Sequence, residues 1–314
     1  MHASIHFSTE GMMGMRLSTS TNFYAFRQNG EYTPYKEALR RCKEAGFKVL
    51  DANFCSALGG ATDLAQDNWQ ALIEDLRNEA DKEGIEFSQS HPVFLGGNPS
   101  GHSAEKMEIY HEMMRRSIIA SSILGVKWAI LHPTPGRETD TEFDAESIVR
   151  HNLEFHGPAL ELAKKVNVGI AFENMIERST RRFASHASDL VALIDTCNDP
   201  GVGACWDFGH GNFIWPDQRD QLRTLGKRLK ATHVDDNYGK ADEHMFPFHG
   251  SIKWQELLPV LAEIGFEGDF TFEAHKEFTR LPEHLKDQMA KFGYEIGQYC
   301  LSLVAAKDGA LSRN

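Results

Sequence analysis

Apolar and polar positions follow one repeating order along the chain. A short β-branched or apolar run leads into a polar loop, and the loop leads into a segment whose apolar residues recur every three or four positions. That order is the signature of a strand followed by an amphipathic helix. The strand-like runs are Arg16 to Ser20, Lys48 to Asn53, Ile85 to His91, Val126 to His132, Val168 to Glu173, Val202 to Asp207, Lys230 to Asp235 and Asp269 to Glu273. Helical spacing covers Pro34 to Ala45, Asn68 to Glu83, Ala104 to Leu124, Ala145 to Val166, Ser188 to Thr196, Pro216 to Gly226, Lys253 to Ile264 and Pro282 to Leu303. End signals agree: Thr33 suits the cap of the first helix, Pro34 its first position, and Gly46 and Gly84 stop the first two helices.

Strict alternation of strand and helix implies a parallel sheet with right-handed crossovers. Eight such units, with no glycine-rich phosphate fingerprint after the first strand, favour an α/β fold closed as a (β/α)8 TIM barrel over an open doubly wound sheet. No Pro/Ser/Gly-rich linker divides the chain. Residues 16–314 are therefore expected to form one barrel domain, with residues 1–15 as a loose N-terminal extension that lacks the basic start and apolar middle of a secretory signal.

Composition narrows the function classes. Hydrophobic residues make up 41% and charged residues 25% of the chain, and no apolar run approaches the roughly 18–20 residues of a membrane-spanning helix. Five cysteines, Cys42, Cys55, Cys197, Cys205 and Cys300, are odd in number and contain no CxxC pair. They argue against a disulfide framework and fit a reducing, cytoplasmic setting. A formal net charge of −12 opposes nucleic-acid binding, which draws its affinity from Lys and Arg displacing counterions. The run Arg178-Ser179-Thr180-Arg181-Arg182 is a local exception that could hold a phosphate.

Chemistry concentrates where strands end, the face on which such barrels build their sites. Six consecutive strands end in His, Asp or Glu: Gln89-Ser90-His91, Ile130-Leu131-His132, Phe172-Glu173, Trp206-Asp207, Thr232-His233 and Phe272-Glu273. One such residue is ordinarily a solvated loop or capping group. Six at one mouth would repel each other and pay heavily for desolvation unless a cation neutralised them. Mixed carboxylate and imidazole ligands suit Mn²⁺, Co²⁺, Fe²⁺ or Zn²⁺ better than Mg²⁺. Two glycines flank His210 in Asp207-Phe208-Gly209-His210-Gly211 and would let the chain turn its imidazole back to the mouth. After the seventh strand, Asp242 and His244 stand two apart, so an extended chain presents both on one face.

These motifs, FEN, WDxGH, HVDD, DxHxxPxxGxIxW and FEAH in that order, resemble the xylose-isomerase-like superfamily of sugar isomerases and epimerases, whose fold also includes metal-dependent apurinic endonucleases. The match covers nearly the whole chain after residue 15. For the sugar-epimerase branch the resemblance implies one divalent metal held by Glu173, Asp207, His233 and Glu273, with Glu173 and Glu273 as the acid/base pair across a bound ketose. Proton transfer through an enediolate would then give epimerisation or aldose-ketose isomerisation. For the endonuclease branch it implies several zinc ions on a larger set that adds His91, His132, His210, Asp242 and His244. In a one-metal enzyme those five are additional metal or substrate contacts. The acidic balance favours the small sugar substrate.

Three other readings stand beside this one: a multi-zinc phosphodiesterase, a metal-dependent lyase of an oxidised glycoside, and a non-catalytic sugar-binding subunit. The ketose 3-epimerases commonly place an Arg after the strand-seven histidine, whereas Val234-Asp235-Asp236 follows His233 here, so the substrate pocket differs. Phe94, Phe246 and Phe248 are expected substrate contacts because they follow functional strand ends, and His249 because it occupies a loop position where the family usually has a small or acidic residue. A homodimer or homotetramer is compatible with the resemblance.

Overall fold

The computed structural model describes residues 14–136, 142–279 and 281–305. Of the expected extension, residues 1–13 lie outside the described residues. Eight strands run parallel: β1 (Leu17–Ser20), β2 (Val49–Asn53), β3 (Glu86–His91), β4 (Trp128–Leu131), β5 (Gly169–Glu173), β6 (Val202–Asp207), β7 (Leu229–His233) and β8 (Phe270–Phe272). They pair in the order β7-β6-β5-β4-β3-β2-β1-β8. The ring is completed just past β7, where Val234 forms a parallel bridge with Phe272. There the Val234 N–H donates to the Thr271 carbonyl at 2.8 Å, and the Glu273 N–H donates to the Val234 carbonyl at 3.0 Å. This is the expected (β/α)8 TIM barrel.

The helices are α1 (Tyr35–Ala45), α2 (Trp69–Glu83), α3 (Ala104–Leu124), α4 (Ala145–Lys165), α5 (Ala187–Cys197), α6 (Phe208–Gly211), α7 (Arg219–Leu225), α8 (Trp254–Leu257), α9 (Pro259–Glu263), α10 (Lys276–Thr279) and α11 (Glu283–Ala305). Two sequence expectations change. Thr33 does not cap α1: Pro34 occupies the cap position, and the Tyr35 N–H donates to Asp63 Oδ2 from a distant loop at 3.1 Å. The helix expected over Lys253 to Ile264 is two short ones, because Pro259 has no N–H to continue the bonding pattern. Gly46 ends α1 as expected, at a φ of 115° open mainly to glycine.

Side-chain alternation along the strands builds two cores. Outward residues such as Leu50, Phe87, Phe172, Trp206 and Phe270 are buried in one large cluster with the helices, against Leu39, Ile73, Ile118 and Leu190. Inside the barrel a separate plug forms from Ile130, Ala171, Cys205 and Ala231, with Trp128 packed on it. The barrel is thus filled below and free to carry polar groups above. Among the described residues no helix is long and apolar enough to cross a membrane.

Candidate metal centre

The plug fixes where the polar residues go. Ile130, Ala171, Cys205 and Ala231 are one strand repeat before His132, Glu173, Asp207 and His233, so the alternation that buries the first four inside the barrel carries the second four to its C-terminal mouth. Parallel register sets Asp207 beside His233, while Glu173 lies beside Cys205, one repeat deeper in the barrel. Four overlapping groups of ligand side chains result, with ligand atoms within 4.8 Å of one another in each; one of them, His91, His233 and Glu273, bridges the first two described below.

His91, His132 and Glu173 form the first group. The His91 Nδ1 donates to the Pro92 carbonyl at 3.0 Å, which turns its Nε2 towards the mouth. That Nε2 lies 3.1 Å from His132 Nε2, and Glu173 Oε2 lies 2.8 Å from the latter and 3.6 Å from the former. Glu173, Asp207, His233 and Glu273 form the second group. Here His233 Nδ1 stands between the glutamates, 2.8 Å from Glu173 Oε1 and 3.3 Å from Glu273 Oε2. The third group joins His210, Asp242 and His244. The Nδ1 atoms of its histidines donate to the Asn174 and Glu273 carbonyls at 2.8 and 3.0 Å, so both Nε2 atoms face Asp242, at 3.9 and 3.0 Å.

The end of β6 shows how the chain delivers two of these ligands. Asp207 caps the single turn of α6, its Oδ1 accepting the His210 N–H at 2.6 Å, and its Oδ2 is buried with no hydrogen-bond partner. Asn174 clamps the same residue, accepting its N–H at 2.5 Å and donating to its carbonyl at 2.9 Å. The flanking glycines do not make a free turn, since the segment is helical. A Cβ on Gly209 would stand 2.4 Å from both carboxylate oxygens of Asp235, so glycine there permits close approach. The chain is not extended at His244 either: a left-handed φ of 41° brings its imidazole onto Asp242.

The donor set fits a divalent cation. Glu173 Oε2, Asp207 Oδ2, Asp235 Oδ2 and Asp242 Oδ1 are buried without hydrogen-bond partners, a costly state for four carboxylates. Among the described residues no lysine or arginine pairs with Glu173, Asp207 or Glu273, whose ionic partners are imidazoles. Nitrogen and oxygen ligands in threes and fours suit zinc and its neighbours. Burial would raise the Glu173 carboxyl, but His233 and His132 outweigh it and hold it well below the usual range. Burial pushes Asp207 up to about 6, with Glu173 and Glu273 adding to the shift and His210 opposing it. Burial also raises Asp235, reinforced by Asp207.

All nine expected ligand residues, His91, His132, Glu173, Asp207, His210, His233, Asp242, His244 and Glu273, thus meet at one mouth. Phe94 joins them: half-exposed, its ring lies 4.3 Å from that of His132. Phe246, Phe248 and His249 belong to another neighbourhood. Phe246 is fully buried against Phe23 and Phe272, Phe248 lies on Tyr299 of α11, and His249 meets Glu277 at 2.5 Å and stacks on Phe292. Sequence reasoning did not single out Asp51, whose unpartnered Oδ2 faces His233 Nε2 at 3.9 Å. Its signal was a carboxylate inside the run Val49-Leu50-Asp51-Ala52-Asn53.

Comparison with known proteins agrees with this fold. The model of the family described as xylose isomerase-like TIM barrel matches residues 39–292. An uncharacterised protein, y4fM of Sinorhizobium fredii strain NGR234, is 27% identical over 271 residues, covering 76% of this chain and 82% of its own. The structure of a D-tagatose 3-epimerase-like protein superposes with a TM-score of 0.70 at 19% identity, over 93% of this chain and 98% of that one. The IolI protein with a bound zinc atom also gives 0.70, at 17% identity and the same coverage.

Proposed function

The chain belongs to the xylose isomerase-like TIM barrel family, and we propose that it is a divalent-metal-dependent isomerase or epimerase of a sugar or sugar derivative. The observation that carries this reading is the second ligand group, in which two glutamates approach one histidine from β5 and β8 with Asp207 beside them. Similarity to the D-tagatose 3-epimerase-like protein supports it. Glu173, Asp207, His233 and Glu273 would hold the ion, which can be Mn²⁺, Co²⁺, Fe²⁺ or Zn²⁺.

When bound, the ion supplies a positive charge that stabilises the enediolate of a ketose. The chain's own residues do the rest. Glu173, held in its charged form, removes the proton from the carbon beside the carbonyl. Glu273 would take up a proton from solvent and return it from the other side, while Glu173 releases the one it removed. Return to the same carbon inverts it, and return to the neighbouring carbon exchanges ketose for aldose. Phe94 offers an apolar face beside His132 on which a sugar ring can lie.

Incubation of the metal-loaded protein with a panel of ketoses in D₂O tests this: deuterium is expected at a carbon-bound position, and Glu273→Gln should slow its entry by about 10²–10⁴-fold. Full activity after chelation would overturn the metal's role. One observation favours a second reading, a multi-metal phosphodiesterase: the nine ligands fall into several overlapping groups, and His210, Asp242 and His244 form one that shares no residue with the others. About three metals per chain with cleavage of abasic duplex DNA, and no sugar exchange, would decide for it.

A further inference from the structure

The arginines of the run Arg178 to Arg182 have unequal fates. Arg181 donates to both oxygens of Asp189, at 2.8 and 2.6 Å, and to Glu177 at 3.2 Å. Arg178 donates to the Lys240 carbonyl at 3.2 Å and lies over the Phe213 ring. Arg182 pairs with no carboxylate among the described residues, and its Nε is buried without a hydrogen-bond partner. Burial works against its charge. A half-buried guanidinium without an anion is left only partly solvated, and its planar fork is built to take two oxygens of a carboxylate or phosphate.

Its location gives that cost a use. Arg182 lines one small hollow together with His132, Phe94 and Thr134, and the Thr134 Oγ1 is likewise buried without a partner. Arg182 therefore stands without a carboxylate partner beside Thr134 and His132 at the edge of an otherwise acidic mouth. The hollow holds about 20 Å³, the room of one water, so an anion would lie across its opening, where the half-buried arginine can reach it. We propose that Arg182 and Thr134 form a subsite for a negatively charged substituent, phosphate or carboxylate, on the substrate. This rests on the isomerase reading and deepens it: the sugar handled here is an anionic one.

Calorimetric titration of the full-length, metal-loaded protein tests the subsite with D-fructose, D-fructose 6-phosphate and D-fructuronate, and with inorganic phosphate as a probe that needs no sugar. At least one anionic ketose should bind tenfold or more tighter than D-fructose, and which one does so tells phosphate from carboxylate. In Arg182→Gln that preference should fall about tenfold or more, with inorganic phosphate weakened in parallel. Arg182→Lys should restore part of it, which a merely structural arginine would not do. Thr134→Val provides a milder variant should Arg182→Gln fold poorly, and should lower the preference by roughly threefold. No preference for either anion, or a preference that survives Arg182→Gln, overturns the subsite. Deuterium exchange is read separately, so an anion site without exchange would sink the isomerase reading and leave the subsite standing.

Discussion

The same eight strands end in two chemically opposite faces. At the N-terminal end charges are matched: Arg16 donates to Asp269 at 2.9 Å and to Glu86 at 2.6 Å, and Lys164 meets Asp199 at 2.7 Å. A hollow of about 1010 Å³ opens there beside Trp128, Lys164 and Asp199. At the C-terminal end buried carboxylate oxygens lack hydrogen-bond partners, and two imidazole nitrogens, His91 Nε2 and His132 Nε2, stand 3.1 Å apart. Hollow size therefore does not mark the site; unneutralised charge does. A protein keeps such a cluster when a cation completes it, since the unpaired groups otherwise cost stability.

The sharpest way to break this contrast is to change one charge at each end. Glu173→Gln removes the charge of a ligand shared by two of the four groups. It should lower deuterium exchange by about 10²–10⁴-fold and lower the bound metal measured by mass spectrometry. Arg16→Met, at the matched end, should leave both at the wild-type level. Equal losses in the two variants would mean that the mouth is no more specialised than the base.

Metal removal should come next in size. An ion that binds only the folded chain adds about 4 kcal/mol when its free concentration is a thousand times Kd. Denaturant unfolding with and without a chelator should show a difference of that order. Ile130→Ala in the plug should cost a comparable about 2–5 kcal/mol by leaving a cavity, because Ile130 is fully buried. Its metal content should stay normal. If the plug variant loses metal as well, the floor and the ligands above it are not separable.

Much of this contrast was legible in the sequence because it rests on local periods. The two-residue repeat that makes Ala171 plug and Glu173 ligand is visible in Ala171-Phe172-Glu173, and it recurs in Cys205-Trp206-Asp207 and Ala231-Thr232-His233. The loop after β7 offered no period. Phe248 takes a left-handed φ of 74° there, and its ring lies on α11 rather than at the mouth. Nothing local tells Phe94, which stacks on His132, from Phe246, which is buried beneath α10 and α11. The fate of Arg182 was equally hidden: Asp189 is taken by Arg181, and only the folded loop decides which arginine that leaves alone.

Histidines sharpen the contrast inside and outside the ligand ring. Burial opposes the charge on His233, yet Cys205, Glu273 and Glu173 raise its pKa well above the usual value. His156 of α4, packed on Phe155 and Phe172, has no such neighbours, and burial lowers it to about 3. Its folded pKa thus lies below the unfolded value of about 6.5. The unfolded chain binds the proton more readily, so the stability held by neutral His156 is complete above pH 6.5 and is lost as pH falls from there towards 3. The slope is at most about 1.4 kcal/mol per pH unit. Urea unfolding of chelated protein between pH 6.5 and 5 should lose up to about 2 kcal/mol through this group. His156→Leu should flatten that part of the profile; an unchanged slope would place the acid sensitivity elsewhere.

The smallest effect is expected where charges are already matched. Arg16 is nearly half-exposed, and although Asp269 is buried, Glu86 is open to solvent. Water and salt screen the Arg16 pair with Glu86, and the Asp269 contact alone restrains β8 against β1 at the base. Arg16→Met should therefore cost about 1 kcal/mol or less in urea unfolding, and the cost should shrink further in 1 M NaCl, where screening lengths fall to about 3 Å. A loss as large as that of Ile130→Ala, unaffected by salt, would show that the base too depends on a desolvated charge, and the division between a neutralised end and a chemically poised one would fail.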